Sequence, residues 1–189
     1  IDISCNLGST NIVNMMATPH FGKSVETMVR ALTFVTDHSD IDVVPSIQHG
    51  NALAHTIGLG AMGLHGYLAK NHLYYGEPDS VEFTSVYFML LNYWTLQASN
   101  KIAKERGQVF HNFEKSKYAD GSYFDKYLAQ DFGPKSARVK ELFQGIDIPT
   151  TADWADLKQA VMQDGLYHQN RMAVAPTGSI SYINECTTT

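Results

Sequence analysis

Cysteine is scarce in this chain, basic charge is in deficit, and no long apolar run is present. The two cysteines, Cys5 and Cys186, make no disulfide framework, so the expected compartment is a reducing, cytoplasmic one. Lys and Arg number 14 against 19 Asp and Glu, for a net charge of −5. Without a basic cluster, binding to a nucleic-acid backbone is not expected. No apolar stretch reaches the ~18 residues that cross a bilayer. The most apolar piece, Val86 to Leu91, is closed off by Asn92, Thr95 and Gln97. No membrane partner and no secretory leader are therefore expected. The eight histidines are scattered, with neither an HExxH pattern nor a Cys/His cluster, so no protein-held metal is expected. Repeats, low-complexity tracts and linkers are absent too. The chain opens at Ile1 inside a strand-like pattern and stops at Thr189 after a threonine run, which reads as an internal piece of a longer protein.

What is present has the patterning of a helix-rich α/β domain spanning 1–189. Ile1 to Leu7 alternates apolar and polar, predicting a strand with Cys5 on the same interior-facing side as Ile1, Ile3 and Leu7, broken by Gly8 and Ser9. From Ser24, Val25, Met28, Val29, Leu32 and Val35 follow helical spacing until the polar run Asp37 to Asp42. A second, glycine-rich helix is predicted from Gln48 or Asn51 to His72. Asp79 to Glu82 reads as a capping box opening the longest helix, which ends at Arg106 and Gly107. An aromatic connection, Phe110 to Gly133, turns at Asp120-Gly121. Short helices follow over Ser136 to Phe143 and from Thr150 or Thr151 to Gly165, the latter burying Trp154, Leu157 and Val161.

Three stretches carry candidate chemistry. Gly58-Leu59-Gly60-Ala61-Met62-Gly63 matches GxGxxG, but it lies inside a helical pattern. A dinucleotide fingerprint must follow a strand and open a helix, so this is read as a packing motif. Ala175-Pro176-Thr177-Gly178-Ser179-Ile180-Ser181 follows a short apolar strand end. Pro176 fixes its own φ, Gly178 permits a left-handed turn, and the following N–H groups with three hydroxyls can form a nest for a phosphate. An ordinary strand-to-loop turn has the same composition. Cys5 is the third: a lone cysteine on an apolar strand face is commonly structural, yet a strand end beside a Gly-Ser break would also let a redox thiol meet a partner. Cys186, in the loop after Asn184, is read as incidental.

Taken together, Ser4 to Ser9 (SCNLGS), Gly58 to Gly66 (GLGAMGLHG), Phe113 to Tyr127 (FEKSKYADGSYFDKY), Asp164 to Asn170 (DGLYHQN) and Ala175 to Asn184 (APTGSISYIN) resemble the large, catalytic subunit of class Ib ribonucleotide reductase. The resemblance implies the second half of that family's ten-stranded α/β barrel. It implies reduction of ribonucleoside diphosphates to 2′-deoxyribonucleoside diphosphates by thiyl-radical chemistry. Cys5 falls on one member of the family's redox-active thiol pair. Pro176, Thr177, Gly178, Ser179 and Ile180 fall on the loop that binds the substrate diphosphate, and Leu7 on a backbone contact to the nucleotide. The implied partners are a small subunit whose manganese or iron site generates a tyrosyl radical, a second large subunit in a homodimer, and a glutaredoxin- or thioredoxin-like dithiol reductant. Nucleotide effectors, the radical-bearing cysteine and the disulfide partner of Cys5 would all lie outside these residues, so the piece by itself is expected to be inactive. A related radical enzyme on the same barrel, or a non-enzymatic helical module whose Gly-Ser loop holds anions, are the competing readings.

Overall fold

The computed structural model describes residues 2–39 and 42–188; Ile1, where the first predicted strand begins, and Asp40 and Ile41, in the predicted polar stop, lie outside them. The element order is β1 (Asn6–Asn11), α1 (Ile12–Ala17), α2 (Phe21–His38), α3 (Pro45–Ala54), β2 (Ile57–Met62), α4 (Leu64–Lys70), α5 (Pro78–Arg106), α6 (Asp125–Ala129), α7 (Ala137–Leu142), α8 (Thr151–Asp164) and α9 (Gly178–Ile183). Two short 3₁₀ turns, Phe113–Lys115 and Ser122–Phe124, lie in the aromatic connection.

α5, 29 residues long, is the beam on which the rest is laid. Its middle, Val86 to Tyr93, is buried except for Phe88, because α2 packs against it on one side and α8 on another. Pro78 sits at its first turn and Gly107, at φ 61°, ends it, as Pro-in, Gly-out helix boundaries do. The predicted capping box is not made. Glu82 instead turns outward, and its Oε1 accepts the N–H groups of Lys135 and Ser136, ahead of α7. The real capping box opens α8, where Thr150 and Asp153 satisfy each other's backbone. No helix among the described residues is long and apolar enough to cross a membrane.

The sheet departs most from the sequence expectation. The predicted helix over 48–72 divides into α3, β2 and α4. All six residues of β2 are buried. A strand covered on both faces reads as a continuous apolar run without alternation, and that pattern does not separate strand from helix. β1 starts at Asn6 and continues through Gly8 and Ser9 rather than breaking there. It pairs with β2 in parallel, from Asn6 opposite Ile57 to Asn11 opposite Met62. On the other edge of β2, Met172 bridges Leu59 in parallel. Ile57 and Leu59 donate to the carbonyls of Asn170 and Arg171 at 3.1 and 2.9 Å, and Ala173 donates back to Leu59 at 3.3 Å. β2 is therefore central, with the Cys5 strand on one side and the strand leading to Pro176 on the other. Among the described residues the sheet has two full strands and this bridge, fewer strands than the expected half of a ten-stranded barrel.

Glycine makes that arrangement possible at two positions. A Cβ on Gly60 would collide with the backbone carbonyl oxygen of Ala173, and one on Gly58 would press on Leu7, Cys5 and Ala173. The packing reading of this stretch holds, although the stretch is strand rather than helix. The fingerprint glycines Gly58 and Gly60 lie within the strand rather than in the turn after it, where a dinucleotide site requires them.

His168 joins the strand region to the helices. It is fully buried, with Nε2 2.9 Å from Thr33 Oγ1 on α2 and Nδ1 2.9 Å from Ser99 Oγ on α5. Burial, then the charges of Arg171, His55 and Arg106, lower its pKa to about 3. An unfolded histidine titrates near ~6.5. The unfolded chain thus takes up a proton that the folded chain refuses. The stabilisation is complete above pH ~6.5 and is lost as pH falls toward 3, at up to ~1.4 kcal/mol per pH unit. Urea midpoints of the chain measured from pH 7 to pH 4.5 are expected to fall more steeply than those of His168→Gln; parallel curves would remove this role from His168.

Candidate active site

Cys5 lies in extended chain one residue before β1. Alternation places its side chain with that of Leu7, as predicted: Leu7 Cδ2, Cys5 Sγ and Ala173 Cβ stand 2.7, 2.8 and 2.9 Å from the point where a Cβ on Gly58 would lie. The predicted interior orientation is corrected, however. Cys5, Ile3 and Leu7 are exposed, because α2 and α5 cover the opposite face of the sheet, where Ile57, Leu59 and Ala61 join the core. The sulfur is thus shielded from below by Gly58 and open on its outer side. Partial burial pushes the thiol pKa up, so at neutral pH it is held as S–H, a hydrogen donor in reserve rather than a resting thiolate.

The chain on either side of Cys5 is held by helices. Ser4 N–H donates to Asn51 Oδ1 at 2.9 Å, and Asn51 Nδ2 donates to Ser4 Oγ at 2.8 Å. Asn6 Nδ2 donates to Thr36 Oγ1 at 2.8 Å.

Across β2, the chain passes from Ala173 into the second candidate segment. Pro176 is exposed and Thr177 is buried. The left-handed residue of the turn is Thr177, at φ 48°, not Gly178. Gly178, Ser179 and Ile180 form the exposed first turn of α9. N–H groups in a first turn have no partner within their own helix, so the N–H groups of Gly178, Ser179 and Ile180 are donors that α9 itself does not use. The hydroxyl of Ser181 does not join it, being buried and donating to Gly178 O at 2.7 Å. Two residues, Val174 and Ala175, separate Ala173 from Pro176, at most ~11 Å of chain.

Cys186 lies elsewhere. Its side chain packs at the Gly63 turn beyond the far end of β2, and its N–H donates to Ser181 O at 3.1 Å. Five strand residues from Gly58 to Gly63 span ~16 Å, whereas a disulfide needs Cα atoms within ~7 Å. Both cysteines are free, and Cys186 is no partner for Cys5.

Asn51, Thr36 and Arg171 carry no functional signal in the sequence. Arg171 is buried, donating to Tyr118 Oη at 3.2 Å and Asn92 Oδ1 at 3.3 Å, and its guanidinium lies over the Tyr118 ring. It thereby ties the aromatic connection to the strand that leads into Pro176. Each of these pairings spans 30 to 79 positions, so no local pattern could have announced them.

The model of the ribonucleotide reductase barrel domain matches residues 1–189. The chain is 46% identical over 187 residues to the ribonucleoside-diphosphate reductase subunit alpha of Bacillus subtilis, covering 99% of this chain and 27% of that protein. The subunit alpha of Mycoplasma pneumoniae is 45% identical over 192 residues, covering 98% and 26%, and that of Chlamydia trachomatis 32% over 184 residues, covering 95% and 17%. The chain thus spans about a quarter or less of these relatives. With the match running from its first residue to its last, the chain belongs to the ribonucleotide reductase barrel-domain family.

Proposed function

We propose that this chain is the second half of the catalytic barrel of a class Ib ribonucleoside-diphosphate reductase large subunit, working in the cytoplasm. It supplies one redox thiol, Cys5, and the diphosphate loop, Pro176 to Ile180. The overall reaction replaces the 2′ hydroxyl of a ribonucleoside diphosphate by hydrogen and releases it as water. Two thiols become a disulfide and provide the two electrons and two hydrogens required. The small subunit's metal-generated tyrosyl radical supplies the oxidation that starts turnover. The remaining parts, namely the second thiol, the effector sites and the docking surface for a dithiol reductant, belong to the complete subunit and its homodimer.

The observation carrying this reading is the meeting of Cys5 Sγ and Ala173 Cβ over Gly58. β2 holds a protonated thiol on one side and, on the other, the strand that ends in first-turn N–H donors. An anion at those donors is favoured by first-turn N–H groups that the helix itself does not use.

Ser179→Asp in the complete subunit tests the loop. A carboxylate at this position suits a helix start, worth ~0.3–1 kcal/mol, but repels a diphosphate. KM for the ribonucleoside diphosphate is expected to rise about tenfold or more, a loss of at least ~1.4 kcal/mol of binding, with the melting temperature unchanged or higher. An unchanged KM would mean that the diphosphate is held elsewhere.

A further inference from the structure

Cys5 precedes the first ladder hydrogen bond of β1, and its outer side is open. A residue so placed at a strand end is ordinarily free to fray. Here the neighbours on both sides are fastened to different helices. Asn51, in the last turn of α3, makes a two-point contact with Ser4, meeting its backbone N–H and its hydroxyl. Its own carbonyl accepts the N–H of His55 at 2.8 Å as α3 ends. Thr36 of α2 accepts from Asn6 while donating to Leu32 O at 3.0 Å. Asn51 and Thr36 are each 8% exposed, so water competes little for these bonds.

We propose that Asn51 is a positioning residue for Cys5: its two hydrogen bonds to Ser4 fix the thiol over Gly58, facing Ala173, with the Thr36–Asn6 contact as a second and weaker fastening. This inference rests on the reading of Cys5 as a redox thiol. Disulfide formation demands a sulfur–sulfur distance near ~2.05 Å and a narrow dihedral range. A displacement of about 1 Å in a reacting group can cost ~100-fold in rate. A thiol on the unpaired end of a strand meets that demand only if its backbone is held from outside the sheet, and the Asn51 amide does so. Asn51 and Thr36 also line a cavity of about 510 Å³ together with Asp37, Gln48 and His55. Truncating either side chain therefore enlarges an existing open space rather than leaving a sealed void in the core.

The test uses the complete large subunit with its radical-bearing partner and three variants: Asn51→Ala, Asn51→Asp and Thr36→Val. Cys5 alkylation by iodoacetamide is read peptide by peptide, with Cys186 as internal reference, beside kcat and KM for a ribonucleoside diphosphate. Asn51→Ala is expected to raise Cys5 labelling about fivefold relative to Cys186 and to lower kcat about tenfold, with KM within about twofold. Asn51→Asp can accept from both the Ser4 N–H and the Ser4 hydroxyl, so it is expected to recover most of the loss. Thr36→Val should shift labelling and kcat in the same direction by a smaller factor. If Asn51→Ala leaves labelling and kcat within about twofold of wild type, or if Asp is as damaging as Ala, the positioning role is overturned. Should Asn51→Ala fail to fold, Thr36→Val decides alone, and no change in it overturns the proposal. Normal turnover by Cys5→Ser would instead sink the redox reading, while the labelling ratio would still report on the clamp.

Discussion

Cys5→Ser in the complete reductase is expected to abolish deoxynucleotide formation, by about 10³-fold or more, while substrate is still attacked and free base is released. The substitution changes little but the sulfur. The side chain is exposed and Ser is nearly isosteric, so folding and the bonds of Ser4 and Asn6 to Asn51 and Thr36 should persist. On the proposed reading the chemistry should not persist, because a hydroxyl cannot join a second sulfur in a disulfide, and the two electrons that reduce the 2′ carbon would then have no source. The raised thiol pKa of Cys5 fits this use, since a donor must arrive carrying its hydrogen. Cys186→Ser, at the distant Gly63 turn, should turn over as wild type. The assay is product analysis with a pyrimidine ribonucleoside diphosphate and a dithiol reductant. Normal deoxynucleotide yield from Cys5→Ser would reduce Cys5 to one more residue of an open sheet face, leaving the family membership standing and the site assignment not.

How much of this could be seen beforehand follows from where each signal lives. α2, α5 and α8 announce themselves because each buries one or more faces at helical period and carries its own punctuation, such as Thr150 with Asp153 or Gly107 in the left-handed region. The pairing of Cys5 and Leu7 on one face was legible from alternation alone. Which face the helices would cover was not, since it depends on α2 and α5 packing behind Ile57 and Leu59. β2 was misread because a strand buried on both sides has no alternation to show, and glycines at 58 and 60 suit a tightly packed helix as well as a strand. Glu82 was assigned to its own helix start by local pattern, but Lys135 and Ser136, more than fifty positions away, take its carboxylate. The turn at Pro176 and Thr177 was legible, but Gly178–Ile183 is helix rather than loop, the left-handed residue is Thr177, and the Ser181 hydroxyl is spent on the helix itself. Local chemistry nominates the candidate residues; long-range contacts set how they are presented.

Gly60→Ala should be strongly destabilising. The new Cβ would overlap the carbonyl oxygen of Ala173, with the Ala173 carbonyl carbon at 3.2 Å and Val174 Cα at 3.3 Å. All three are backbone atoms, so no rotamer change relieves the clash. Relief requires the 170–173 strand to move off β2. That forfeits the hydrogen bonds of Ile57 and Leu59 to Asn170 and Arg171 and of Ala173 to Leu59. Overpacking costs ~1–3 kcal/mol, and each lost hydrogen bond ~1 kcal/mol, so a destabilisation of at least ~3 kcal/mol is expected. Gly58→Ala meets side-chain atoms instead, with the exposed Leu7 free to swing away. It should cost less stability yet displace the Cys5 sulfur. Gly178 has nothing within 4 Å of a Cβ and does not have a positive φ, so Gly178→Ala should be nearly neutral. Urea unfolding of the three variants should rank Gly60 well above Gly58 and Gly58 above Gly178. Gly60→Ala as stable as Gly178→Ala would mean that the 170–173 segment does not press on β2 as described, and the meeting of Cys5 and Ala173 over Gly58 would lose its foundation. If the ranking holds, Gly60→Ala should also lose substrate binding, since the displaced strand carries Pro176 to Ile180 with it.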